Sequence, residues 1–173
     1  MVKSIVRGVL SMTMVLAMGV QAAETAAEPA AEPAKSMSVY GTALGEGWQN
    51  WSWAKTELSV ELKGSARRPI KVDAAGWQAL YLHHDPFSTT GLKELSFLIQ
   101  GSAPDGEVHV FALIDGKVVG AGKPVKISNA GWTKVVIPLA TLEVEDKNID
   151  GIWFQNGSGN NLPHFFVTEI LLD

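Results

Sequence analysis

Apolar and polar residues alternate along most of the chain after residue 37, with the two-residue period of a β-strand that is half buried. In residues 55–63, Leu58, Val60 and Leu62 alternate with polar side chains, which predicts one such strand ending before Gly64. Further short runs of strand character follow at 69–73, 76–84, 92–100, 107–115, 117–127, 131–139, 151–156 and 164–172. Because turn residues separate these runs and no amphipathic helix is indicated, the pattern predicts an all-β antiparallel β-sandwich of the jelly-roll type.

One of the connections carries a specific turn signal. Asp115-Gly116 stands between two apolar runs, which is typical of a two-residue β-hairpin loop. The pattern therefore predicts that the runs 107–115 and 117–127 pair with each other.

The first 37 residues lack the strand alternation and have the features of a targeting segment followed by a linker. Residues 1–8 are basic without an acid, and residues 9–20 form an uncharged apolar run that is too short to span a bilayer. Small residues at Val20 and Ala22 complete a cleavage site, so we expect a signal peptide over 1–22. Residues 23–37, rich in Ala, Glu and Pro, are predicted to be a linker, which assigns 38–173 to the β-sandwich.

Composition and charge limit the partners and the compartment. The signal peptide predicts a periplasmic or secreted protein. We expect no lipid anchor because no cysteine follows the apolar run, and no stable membrane insertion because that run is too short to span a bilayer. Of 14 Lys and Arg residues, two lie in the leader, so the mature chain has 12 basic against 18 acidic residues. An acidic chain without a basic stripe is a poor candidate for binding nucleic acid or anionic membrane.

One face of the predicted sandwich is expected to carry aromatic rings beside amides and imidazoles. If the strands at 76–84, 92–100, 107–115 and 151–156 share a sheet, alternation places a set of non-core side chains on its outer face. These are Tyr81, His83, Gln100, His109, Trp153 and Gln155. A pyranose has an apolar C–H face that stacks on a ring and hydroxyls that need donors and acceptors. The face is therefore predicted to bind a polysaccharide or oligosaccharide, unless a loop covers its large rings.

The densest aromatic patch is the segment 47–53, which contains Trp48, Trp51 and Trp53. If the segment is extended, Trp51 and Trp53 project to the same side and form a stacking platform at the rim of a groove. The alternative is that Trp48, with Trp51 or Trp53, closes one end of the sandwich. We expect at least one of these rings to be structural, and Trp132 to pack at the start of a strand.

The sequence gives little support for catalysis. His83 and His84 are adjacent on a predicted strand and point to opposite faces, so they are unsuited to binding one metal ion. Gly157-Ser158-Gly159 lacks the helix and the lysine that nucleophile and phosphate motifs require. A pair of glycosidase carboxylates leaves no sequence signature, so that alternative stays open. We expect the domain not to be an enzyme and to require no cofactor.

The residues 47–53, 76–84, 131–139 and 149–155, with the closing 166–172, resemble the galactose-binding-like jelly-roll modules attached to bacterial glycoside hydrolases. The resemblance implies a non-catalytic carbohydrate-binding module. It also implies a structural calcium ion near the chain ends with Glu169 as a ligand, although Thr168 stands where a second acid is expected. Because a fold does not imply a function, a second hypothesis is an envelope structural or protein-interaction domain that uses the same face for a protein partner.

Overall fold

The computed structural model describes residues 35–173, which form twelve strands. The predicted signal peptide over 1–22 and residues 23–34 of the predicted linker lie outside the described residues. The strands are β1 (Met37–Tyr40), β2 (Gln49–Asn50), β3 (Lys55–Glu57), β4 (Ile70–Asp73), β5 (Ala79–Ser88), β6 (Glu94–Gly101), β7 (Gly106–Ile114), β8 (Lys117–Val118), β9 (Lys123–Ile127), β10 (Thr133–Pro138), β11 (Asn148–Gln155) and β12 (Phe165–Leu172). Within residues 35–173, no helix has the length and apolar character needed to cross a membrane.

The strands form two sheets whose neighbours are all antiparallel. The first sheet has the order β10-β6-β12-β4-β3, with β1 also paired to β12. The second sheet has the order β2-β5-β11-β7-β8, with β9 also paired to β7. The predicted antiparallel β-sandwich is confirmed.

The core lies between the two sheets and is built from the inward half of each alternating strand. Leu80 and Leu82 of β5 and Phe154 of β11 are fully buried from the second sheet. Phe97 of β6 meets Phe154 from the first sheet, with ring centroids 5.0 Å apart and an interplanar angle of 84°. Burying each such side chain stabilises the fold by about 1.5–3 kcal/mol, so this two-layer core stabilises a domain that has no disulfide.

The hairpin predicted at Asp115-Gly116 is confirmed. Asp115 has a φ of 51° and Gly116 a φ of 68°, and the two residues connect β7 to β8 with Ile114 opposite Lys117. Two successive positive φ angles give the turn the twist that matches its flanking strands. The run predicted over 117–127 is divided, because Gly120 and Gly122 also have positive φ and separate β8 from β9.

The strand predicted over residues 55–63 is wrong beyond Glu57. Leu58 is exposed, and Ser59 has a φ of 57°, which a regular strand does not allow. The backbone N–H of Ser59 donates to the Tyr40 hydroxyl at 2.9 Å instead of to a neighbouring strand. Alternation describes side-chain polarity only, so it cannot show where the backbone loses its partner strand.

Two residues before the first strand make contacts with the sandwich. Lys35 donates from Nζ to the carbonyl oxygens of Ser88 and Thr90 at 2.9 and 3.2 Å. Ser36 donates from Oγ to Oδ1 of Asp173 at 2.7 Å, and β1 starts at Met37. The last residues of the predicted linker therefore contact the sandwich.

Trp48 is the structural ring of the segment 47–53, as expected for at least one of its three tryptophans. It is buried in the core, and its ring contacts His84 and Phe87 with centroids 5.1 and 5.7 Å apart. His84 thus faces the Trp48 side of β5, opposite to the side that carries His83. The two histidines do not meet, which agrees with the prediction from strand geometry.

Candidate functional site

The outward side chains of β5, β11 and β7 are aligned across the second sheet by the strand register. Two rows of directly opposite residues cross this face, namely Tyr81–Trp153–Phe111 and Ala79–Gln155–His109. Register alone therefore places Tyr81, Trp153, Gln155 and His109 on one surface, as the alternation predicted.

Trp51 and Trp53 reach this surface because the segment after β2 lies along the edge of β5. The backbone N–H of Trp51 donates to the carbonyl of Tyr81 at 2.9 Å, and that of Ala54 donates to the carbonyl of Ala79 at 3.1 Å. The Ser52 hydroxyl accepts the N–H of Tyr81 at 2.9 Å, which ties the segment to the strand from both sides. Trp51 and Trp53 remain 53% and 41% exposed.

Four aromatic rings and one imidazole form a continuous cluster on the face. The Trp51 indole stacks on the His83 imidazole with centroids 3.6 Å apart and meets Tyr81 edge to face at 5.9 Å. Trp153 meets Tyr81 at 5.7 Å and Trp53 at 4.8 Å, in both cases edge to face. Tyr81 and Trp153 therefore lie between the two exposed indoles and support them from below.

Trp77, just before β5, has a further exposed indole, and its backbone carbonyl contacts the Trp53 side chain. Trp77 is 60% exposed, and its carbonyl oxygen accepts the Trp53 Nε1–H and the Gln155 Nε2–H, each at 3.1 Å. We call Trp51, Trp53 and Trp77 the aromatic platform. Alternation along residues 76–84 puts Trp77 on the same side as Tyr81 and His83, although Trp77 is not among the predicted site residues. In the structure it lies in the turn before β5 with a φ of 65°.

Hydrogen bonds orient the rings of the platform. Trp51 donates from Nε1 to Oε1 of Gln49 at 2.9 Å, so Gln49 belongs to the site although sequence reasoning did not select it. Beneath Trp51, the Tyr81 hydroxyl lies 3.0 Å from Nδ1 of His83. These hydrogen bonds use the edges of the rings, so the face of the Trp51 indole opposite His83 is left for a ligand.

Tyr81 is kept neutral by its surroundings. Burial raises the pKa of Tyr81 above its usual 10.0, and the negative charge of Asp150 raises this pKa further. Asp150 is itself 6% exposed and accepts the Gly116 N–H on Oδ2 at 2.6 Å. A neutral phenol can donate to His83 Nδ1, which holds the imidazole in place under Trp51.

Gly151 makes room for the Tyr81 ring. A Cβ atom at Gly151 would lie 2.5 Å from Cε2 of Tyr81 and 3.0 Å from the carbonyl oxygen of Leu82. Gly151 stands opposite His83 in the register, so the absence of a side chain there lets Tyr81 lie across β11. In the sequence this glycine only indicated the start of a strand.

Two of the predicted site residues lie away from the platform. Gln100 was expected on the same face, and this is wrong, because β6 belongs to the first sheet and Gln100 pairs there with Phe166. Alternation assigns a residue to a face of its own strand but does not say which sheet receives the strand. His109 does lie on the face, at the far end of the Gln155 row, where its Nε2 is 3.3 Å from Oε1 of Glu107.

The residues around Glu169 do not fit a calcium ion. Oε1 of Glu169 is 2.9 Å from Nε of Arg67, and Arg68 lines the same surface cleft. A calcium site requires several oxygen ligands, whereas here a single carboxylate is paired with a guanidinium. Among residues 35–173, no three His, Asp or Glu side chains lie close enough to hold a metal ion. We therefore derive no role for calcium.

Two antiparallel sheets with an aromatic outer face have the fold of β-sandwich carbohydrate-binding modules. The structure is similar to that of an alanine variant of CBM29-2, a family 29 carbohydrate binding module, with a TM-score of 0.60, 15% identity and coverage of 81% of this chain and 92% of that chain. A second variant, complexed with cellulohexaose, matches with a TM-score of 0.59 and 16% identity over 80% of this chain and 89% of its own. A third, complexed with mannohexaose, matches with a TM-score of 0.57 and 15% identity over 82% and 92%. At these identities the likeness establishes the fold.

Sequence comparison gives one further relationship. An endoglucanase of Dictyostelium discoideum is 21% identical over 149 residues, which are 79% of this chain and 21% of that protein. The chain thus spans about a fifth of the length of this relative. No family model matches the chain.

Proposed function

We propose that the domain binds a glycan on the aromatic platform and has no catalytic activity of its own. The observation that carries this proposal is the exposure of Trp51 and Trp53 over a layer of rings that is already packed. The exposed Trp77 is joined to Trp53 through its carbonyl oxygen. Large apolar rings are normally buried, and a contiguous exposed set that is held in place by hydrogen bonds is typical of a binding surface.

The chemistry of the platform suits a sugar chain. Each exposed indole presents a flat apolar face to the C–H face of a pyranose, and Gln49 and Gln155 place amide groups beside the rings for its hydroxyls. No lysine or arginine of the described residues lies over these three indoles; the one such contact in this part of the chain joins Arg67 to Trp132. The uncharged oligosaccharides cellulohexaose and mannohexaose are therefore suitable probes.

One acid near Tyr81, Asp150, is poorly placed for hydrolysis. Asp150, whose charge acts on Tyr81, is buried and bonded to the Gly116 N–H, so it cannot reach a glycosidic bond in a sugar chain lying on the exposed indoles.

The similarity to an endoglucanase extends over only about a fifth of that protein, which fits a binding module of a larger enzyme. The predicted signal peptide supports a role outside the cytoplasm, where such glycans are found.

Isothermal titration of the purified domain with cellulohexaose and with mannohexaose tests the proposal. Trp51→Ala and Trp53→Ala should each weaken binding by roughly tenfold, since each removes one stacking surface. Trp132→Ala is the matched control, because Trp132 lies next to Arg67, away from the platform. Equal affinities for the wild type and both platform variants would overturn the proposal, as would the absence of binding to either hexasaccharide.

A further inference from the structure

Trp77 has an unfavourable backbone conformation without any gain in burial. Its φ of 65° lies in the left-handed region, which bulky residues rarely adopt. Its side chain is nevertheless the most exposed of the large apolar side chains in residues 35–173. Such a conformation persists only where the surrounding structure fixes it, and it is found preferentially where a side chain contacts a ligand.

A single buried amide holds the chain that leads into Trp77. Asn156 follows β11 and is 1% exposed. Its Nδ2 donates to the carbonyl oxygens of Ala74 and Ala75 at 3.2 and 3.1 Å, and to that of Asn160 at 2.7 Å. The backbone N–H of Asn156 adds a bond of 2.8 Å to the carbonyl of Gln78, so the residues on both sides of Gly76-Trp77 are fixed from the same point.

The other atom of the same amide holds the loop that faces Trp77. Oδ1 of Asn156 accepts the backbone N–H of Ser158 at 3.0 Å and the Ser158 hydroxyl at 2.9 Å. The carbonyl oxygen of Ser158 then accepts the backbone N–H of Trp77 at 3.0 Å. The Nδ2 group of Asn156 therefore holds the chain before Trp77. Its Oδ1 holds Ser158, whose carbonyl binds the Trp77 N–H directly.

The turn and the loop are in direct backbone contact, which leaves little freedom for either. A Cβ atom at Gly76 would lie 2.5 Å from the carbonyl oxygen of Gly159. The glycine before Trp77 thus lets the two segments approach, and the Asn156 amide keeps them together. With the segments in this position, the Trp77 carbonyl also accepts the Nε1–H of Trp53, so the arrangement extends to a second ring of the platform.

We propose that Asn156 is a positioning residue of the glycan-binding face, which sets Trp77 in place as the third ring of the aromatic platform. The proposal rests on the proposed function and adds that affinity for the glycan depends on Asn156 through Trp77. The dependence is specific to an amide: a carboxylate at this position would direct an oxygen at three carbonyl oxygens and would lose the donors that hold the turn.

Asn156→Asp tests this inference, with Asn161→Asp as the matched control that makes the same charge change at an exposed position of the same loop. Asn156→Gln is a second variant, which keeps the amide but moves it by one methylene. Circular dichroism first establishes that each variant is folded. Fluorine NMR of protein labelled with fluorotryptophan then reports on the six indoles separately, with the Trp77 signal assigned from Trp77→Phe.

In the NMR experiment, both Asn156 variants should shift or broaden the Trp77 signal and leave that of Trp132 unchanged, and Asn161→Asp should change neither. An unaltered Trp77 signal in the folded Asn156 variants overturns the inference, whatever their affinity for glycans. This readout needs no ligand, so it decides the role of Asn156 in holding Trp77 even if neither hexasaccharide binds the wild type.

Titration with the two hexasaccharides then tests the link to binding. Trp77→Ala and Asn156→Asp should each lower the affinity by roughly threefold to tenfold, and the double variant should be no weaker than the weaker of the two. Losses that multiply in the double variant would show that Asn156 acts independently of Trp77 and would overturn the inference. Absence of wild-type binding would instead overturn the proposed function.

Discussion

The indole of Trp51 lies over the imidazole of His83, with centroids 3.6 Å apart and ring planes 20° from parallel. Trp51 comes from the segment after β2 and His83 from the middle of β5, so the stack joins an edge segment to the sheet. The Tyr81 hydroxyl binds Nδ1 of the same imidazole at 3.0 Å, which fixes the ring on which Trp51 rests. The exposed indole is thus oriented from below before any ligand arrives.

Replacing His83 should weaken glycan binding without unfolding the domain. We expect His83→Ala to lower the affinity for cellulohexaose or mannohexaose by roughly threefold to tenfold, because Trp51 loses its stacking partner. Isothermal titration measures the effect. His164→Ala is the control, since His164 also contacts an aromatic ring, Phe166 edge to face at 5.4 Å, beside β12 of the first sheet. Equal losses in the two variants would contradict a specific role for the stack.

The domain should lose stability in alkaline solution through its two tyrosines. Burial raises the pKa of Tyr40 and of Tyr81 above 10.0, so the folded state holds both phenolic protons more tightly than the unfolded state does. The resulting stabilisation is complete below pH 10.0 and is lost as the pH rises through that value towards the higher pKa of the folded state.

Urea denaturation at a series of pH values on either side of 10.0 checks this expectation. Each tyrosine can make the free energy of unfolding fall by at most about 1.4 kcal/mol per pH unit in this range. Tyr81→Phe should remove the contribution of Tyr81. Tyr40→Phe should remove the other while also lowering stability at neutral pH, because the Tyr40 hydroxyl accepts the Ser59 N–H and donates to the Arg68 carbonyl. If neither substitution alters the pH dependence of the free energy of unfolding, the two tyrosines are not its cause.

The interface between the sheets should dominate stability. Phe154→Ala is expected to lower the free energy of unfolding by about 3–5 kcal/mol, since it leaves a cavity against Phe97 in the centre of the core. Val136→Ala is the matched control on the outer face of the first sheet; Val136 is 46% exposed, and its truncation should change stability by no more than about 0.5 kcal/mol. Chemical denaturation of both variants measures the difference.

Calcium should leave the stability of the domain unchanged. Glu169 is paired with Arg67 at 2.9 Å, so we expect neither added calcium nor a chelator to shift the thermal midpoint. Glu169→Gln should cost about 1 kcal/mol or less, because the ion pair is largely exposed. A calcium-dependent rise in midpoint that disappears in Glu169→Gln would show that the acid is a ligand after all.

Alternation in the sequence predicted the class of fold because each side chain on a strand has only two directions available. That is why Trp153 and Gln155 were correctly placed on the outer face, while the turn residues Asp115-Gly116 correctly predicted the hairpin. These features depend on neighbours in the chain. The signal peptide over 1–22 stays a prediction.

The composition of the candidate site depended on contacts between distant segments, which alternation does not describe. Gln100 lies in the other sheet because strand order is set by the packing of the whole core. The strand predicted over 55–63 ends early, where the N–H of Ser59 binds the Tyr40 hydroxyl instead of a neighbouring strand. The turn that carries Trp77 is bonded to Asn156, which is far away in sequence. The types of residue needed for binding are visible along the chain, but folding in three dimensions decides which of them meet.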